Sequence, residues 1–165
     1  MHSDIDTTTL LTLAQLAVGL IGVSGIVAVF VSRDGLHPAD QWRFLALVVN
    51  GMIVVSASLF PIWFADFLDD TRSVWRAGSI AALVQAVALL VPLVRYANRH
   101  SGALSSTGTM RFAAFLGPLG FVLLMANVVG WPLQPNAALY EATMLCSLVQ
   151  VAAFFVHLVL YRPAK

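Results

Sequence analysis

The stretch Leu139–Tyr161, "LYEATMLCSLVQVAAFFVHLVLY", decides the fold. A helix needs about 20 residues, rising 1.5 Å each, to cross the ~30 Å hydrocarbon core of a bilayer. This segment is long and apolar enough to do so. It also carries a carboxylate, an amide and an imidazole, at Glu141, Gln150 and His157. Whether those three form a site is the question the rest of the chain must answer.

The composition around it fits a membrane solvent. The chain has 165 residues, 59% of them hydrophobic and 10% charged, with a mean hydropathy of +0.86. A soluble domain carries about 25% charged residues. So little charge leaves too little polar surface for a soluble monomer, and a polytopic membrane protein follows. The formal net charge is +1, with its basic residues scattered in short loops, which gives no surface for nucleic acid. The single cysteine, Cys146, excludes an intrachain disulfide.

Charges punctuate the chain. None occurs in 7–32, 44–65, 77–94, 112–140 or 142–161. The 112–140 window is broken by "GWPLQPN", where Pro132 and Pro135 end a helix. The expected architecture is an all-α bundle of five transmembrane helices, at about 8–31, 44–65, 77–94, 111–131 and 138–161. With the N-terminus outside, the inner segments hold Arg33, Arg43, Arg95, Arg99, Arg111, Arg162 and Lys165. The outer ones hold only Arg72 and Arg76, together with Asp4, Asp6, Asp66, Asp69 and Asp70. Making the fourth helix re-entrant would erase this asymmetry. The positive-inside rule therefore favours five crossings, a cytoplasmic C-terminus and a multi-pass protein of the plasma (inner) membrane. "MHSDIDTTT" lacks the basic n-region of a signal peptide, so the first helix is expected to be retained.

Small residues mark a packing face. "GLIGVSGIVA" spaces Gly19, Gly22 and Gly25 three apart, a groove where another helix backbone can approach. Packing within the chain and packing against a second copy both fit this pattern, and Gly22→Leu is expected to overpack it. Gly117, Pro118 and Gly120 are expected to bend the fourth helix, and Pro61 and Pro92 to shape helix exits. Trp42, Trp63, Trp75, Trp131, Tyr96, Tyr140 and Tyr161 are read as interfacial anchors.

At about 100° per residue, Thr143, Ser147, Gln150, Phe154 and His157 share one face of the last helix, with Glu141 opposite. Glu141 is placed near the outer headgroups, beside helix N-terminal amides that favour negative charge. His157 is placed near the inner interface, about one turn from Arg162, and both side chains are expected to snorkel to water. The deeper polar groups are the amides of Asn50, Gln85, Asn127 and Gln150, on four different helices, with Gln15 on the remaining one. They are expected to hydrogen-bond across the bundle; a wet cavity lined by them is the alternative.

No HExxH, Cys/His cluster, phosphate loop or intramembrane acid pair is present in the sequence. No catalytic residue, metal or cofactor is therefore expected. The leading expectation is a non-enzymatic packing or assembly subunit of a membrane complex or homo-oligomer. Its partners would be the lipid bilayer and a second copy or another membrane protein. The alternative is an oligomeric channel or transporter for an ion or small solute, using the amides, Glu141 and His157. The topology is tested by fusing a reporter active only in the periplasm: after Lys165 it should be silent, and at Gln134 active. The reverse pattern would refute the expected orientation.

Overall fold

The computed structural model describes the backbone of residues 7–31, 38–100 and 108–160, and side chains over 7–30, 41–96 and 115–159. Asp4, Asp6, Arg33, Tyr161, Arg162 and Lys165, and the side chains of Arg99 and Arg111, lie outside the described residues. Five helices run in order: α1 (Thr7–Val31), α2 (Pro38–Ala65), α3 (Thr71–His100), α4 (Gly108–Val129) and α5 (Ala137–Leu160). The fold is the expected all-α membrane bundle. Helices α1, α2, α3 and α5 are each long and apolar enough to cross a membrane; the described apolar part of α4 is Phe115–Val129.

The boundaries differ from the charge-free windows in an informative direction. The third helix was expected at 77–94, yet α3 runs for 30 residues, ~45 Å at 1.5 Å each, which matches a bilayer with its headgroup regions. Absence of charge marks the hydrocarbon crossing, whereas the helical backbone continues through the headgroups.

Local chemistry sets the ends. Asp70 caps α3, its Oδ2 accepting from the Ser73 amide at 3.0 Å and the Ser73 hydroxyl at 2.8 Å. Those two bonds hold the Asp70 carboxyl below its ordinary range. Asn136 caps α5, its Oδ1 accepting from the Leu139 amide at 3.0 Å. Helix α4 stops at Gly130, whose φ of 75° is the left-handed conformation glycine tolerates. The Gly130 amide donates to the Ala126 carbonyl at 2.8 Å, and a cis Trp131–Pro132 bond follows.

Packing arranges the helices as a four-sided ring plus one. Around the ring α2 packs on α3, α3 on α4, α4 on α5 and α5 on α2, while α1 lies against α2 and α5. Across the ring, among the described residues, α3 barely meets α5 and α2 does not meet α4. One apolar cluster, with Leu10, Leu13, Ala57, Trp75, Leu83, Leu124, Tyr140 and Met144, fills the end near the α4–α5 connection. A second, with Ala46, Leu47, Leu93, Val151 and Phe154, fills the other end.

Two residues read as interfacial anchors are core instead. Trp75 is buried and Tyr140 has no exposed surface; their rings are 5.6 Å apart. Pro61 supplies the reason. It has no N–H, so the Ala57 carbonyl, four residues earlier in α2, loses its helical partner. The Tyr140 hydroxyl donates to that carbonyl at 2.6 Å. Pro61 thus lies inside α2 and joins it to α5, rather than merely shaping an exit. Trp63, Trp131 and Tyr96 are exposed, as anchors should be.

Tyr140→Phe strips the partner from a buried carbonyl and should cost about 1–3 kcal/mol, read as a lower unfolding temperature in detergent. In a Pro61→Ala background, residue 61 regains its N–H and the same change should cost less. Absence of coupling between the two positions would show that the Ala57 carbonyl is not their shared group.

Candidate functional site

Because neither diagonal of the ring is filled, a cavity of about 50 Å³ remains between α2, α3, α4 and α5. Its polar lining comes from Asn50 on α2 and from Thr143, Ser147 and Gln150 on α5. Ile53, Leu90, Phe121 and Leu124 are among its apolar walls. The α5 face identified by helical spacing does turn inward: Thr143, Phe154 and His157 are buried, and Ser147 and Gln150 are half-buried.

The donors here are partly engaged on their own helices. Asn50 Nδ2 donates to the Ala46 carbonyl at 2.8 Å, and Thr143 Oγ1 to the Leu139 carbonyl at 2.9 Å. What both can offer a guest is chiefly acceptor oxygen. Among the described residues no ionisable side chain lines the cavity. About 10–15 Å³ suffices for one water, whereas drug-sized ligands occupy ~300–1,000 Å³. At this volume the cavity has room for water or for the polar end of a solute, and not for a whole drug-sized molecule.

The amides divide into two groups. Asn50 and Gln150 meet at the cavity. Gln85 instead donates from Nε2 to the Ser56 hydroxyl, tying α3 to α2. Asn127, with no exposed surface, donates from Nδ2 to Ser79 Oγ at 2.8 Å and accepts from the Asn136 amide at 2.8 Å. The Ser79 hydroxyl in turn donates to the Trp75 carbonyl at 2.8 Å. Asn127 is thus the bolt between α3, α4 and the cap of α5, not part of the cavity wall.

Neither Glu141 nor His157 lines the cavity. Glu141 is half-buried in the second turn of α5. His157 is 2% exposed, which corrects the expectation that it snorkels to water; protein covers the ring. The three polar residues of the opening stretch are therefore not one constellation.

The glycine expectation is also corrected in part. A Cβ at Gly19, Gly22 or Gly25 would meet nothing within 4 Å, so this face packs against no other part of the described chain. The close approaches are elsewhere. A Cβ at Gly51 would lie 2.6 Å from the Ile21 side chain, and one at Gly78 would lie 3.2 Å from Pro61. At Gly117 it would lie 3.5 Å from Gln150 Nε2, and at Gly120 3.5 Å from Thr143. Gly117 and Gly120 flank Pro118 and bring the α4 backbone onto the cavity face of α5. Spacing along α4 marks these glycines as a bend, and says nothing of what they meet.

Among known proteins, the chain is similar to the multidrug efflux pump Tap of Mycolicibacterium fortuitum, 33% identical over 105 residues. The match covers 59% of this chain and 25% of that protein, so the chain spans about a quarter of the relative's length. No family model and no solved structure matches.

The two glycine sets make opposite predictions. Gly51→Leu must displace Ile21 at the α1–α2 contact and should destabilise the chain by about 1–3 kcal/mol. Gly22→Leu should leave the unfolding temperature of the isolated chain unchanged and alter only the oligomer size in detergent. Equal destabilisation by both would mean that α1 is rotated from the position described.

Proposed function

We propose that this chain is a non-enzymatic helical module of a membrane transporter for small, largely apolar solutes, working beside a second copy or another membrane protein. The observation that carries the reading is the neutral cavity, with amide and hydroxyl groups of Asn50, Thr143, Ser147 and Gln150 set among apolar walls. Polar side chains inside a membrane bundle are costly, and they are retained where they meet a partner or a pathway. A neutral, mainly apolar lining with a few polar groups suits a lipophilic solute bearing a hydrogen-bonding end. It does not suit a bare ion, for which no charged or closely ringed ligand set lines the cavity.

The relative supports the same direction. It is a multidrug efflux pump, and the chain corresponds to a quarter of it. A module of that size needs further helices to enclose a pathway. The open face of Gly19, Gly22 and Gly25 on α1 supports the assembly role, because such faces admit a close helix neighbour. Assembly and transport are thus two aspects of one reading: the α1 face joins modules, and the ring of α2–α5 holds the solute.

The test is retention of a neutral lipophilic dye such as Nile red by cells expressing the protein. Expression should lower steady-state dye, and Gln150→Leu or Ser147→Ala should raise it toward the empty-vector level without changing the amount of membrane-inserted protein. Dye levels independent of expression, or unaffected by both substitutions, would refute the reading.

A further inference from the structure

On the outside of the ring, between α3 and α4, lies an apolar groove with a volume of about 410 Å³. Its walls include Ala86, Leu90, Val91 and Val94 of α3 and Phe121 of α4, and Arg95 stands at one end. From Ala86 to Arg95 is nine residues of helix, ~13–14 Å at 1.5 Å each. That is close to one leaflet, half of the ~30 Å hydrocarbon core. Among the described residues, every wall of the groove apart from Arg95 is apolar, a lining that suits a hydrocarbon chain, and the single cation at its end suits an anionic headgroup. Arg95 is exposed and sits where that chain would meet its headgroup.

We propose that this groove is a binding site for an anionic phospholipid, with one acyl chain lying along α3 and α4 and the phosphate on Arg95. A guanidinium matches a phosphate in charge and in hydrogen-bonding geometry, which a zwitterionic headgroup offsets with its own cation. The occupant has a structural consequence. Away from Arg95, the groove shares Ala86, Leu90 and Phe121 with the polar cavity. A chain seated there completes the wall between α3 and α4 that protein side chains leave thin. The inference does not depend on transport, and its test reads lipid binding alone.

The experiment titrates the purified full-length protein in detergent with dioleoyl phosphatidylglycerol and with dioleoyl phosphatidylcholine, following bound lipid by native mass spectrometry. Glycerol 3-phosphate serves as the headgroup without chains. The anionic lipid should bind about fivefold more tightly, the preference expected of one basic residue at a membrane surface. Arg95→Gln should make the two lipids equal, and Arg95→Lys should keep the preference, which also controls for folding. Val91→Trp, which fills the groove, should weaken both lipids. Equal binding of the two lipids by the natural protein, or a preference that survives Arg95→Gln, would overturn the proposal. So would unaltered binding in Val91→Trp, or glycerol 3-phosphate binding as tightly as the lipid. Disulfide-linked dimers of Val91→Cys forming in place of lipid binding would assign the groove to a second copy instead.

Discussion

A backbone carbonyl inside a membrane must find a donor within the protein, because lipid supplies none. Pro61 creates one such orphan at Ala57, and the Tyr140 hydroxyl, reaching over from α5 at 2.6 Å, satisfies it. Much of the bundle follows from that bond. It holds α2 beside α5, and the Tyr140 ring packs against Trp75 of α3. Pro61 in turn fills the space left by the missing side chain of Gly78. Three helices are registered at one level by a single unsatisfied group and its partner.

The neighbouring network extends the same logic to α4. Asn127 accepts from the Asn136 amide at the start of α5 and donates to the Ser79 hydroxyl on α3. The connection between α4 and α5 is thereby pinned to the bundle, although its sequence, "GWPLQPN", is dominated by residues that break helices. With one end held by hydrogen bonds and the other by the Trp42–Phe154 contact at 5.8 Å, the polar cavity falls between two packed ends.

The division between inward and outward surface also follows from solvent. Large apolar side chains such as Val29, Phe30 and Val122 are exposed from the protein, where lipid receives them. With lipid as solvent, burying apolar area no longer selects which helices meet. Small residues and hydrogen bonds do, and Gly51, Gly78, Gly117 and Gly120 each lie against a side chain of a neighbouring helix. The α1 glycines are equally small, but a Cβ on any of them would meet no neighbour within 4 Å among the described residues.

Five helices, their order and their approximate spans were legible in the sequence, because charge is excluded from hydrocarbon whatever the packing. That Thr143, Ser147, Gln150, Phe154 and His157 share one face of α5 was legible too, since they recur at helical spacing; that this face turns inward was not. Helical period gives the angle of a residue on its own helix, but not which neighbour that angle meets. Hence Asn50 and Gln150 look no different in sequence from Gln85 and Asn127, yet only the first pair lines the cavity. Likewise Gly22 and Gly51 are equivalent in composition, and only the second lies under another helix. Tyr140 resembled an interfacial anchor until tertiary structure brought it to the carbonyl that Pro61 leaves free. The sequence determined which segments enter the membrane; the pairing of their faces, which lipid leaves nearly neutral in energy, was decided by tertiary packing and hydrogen bonding alone.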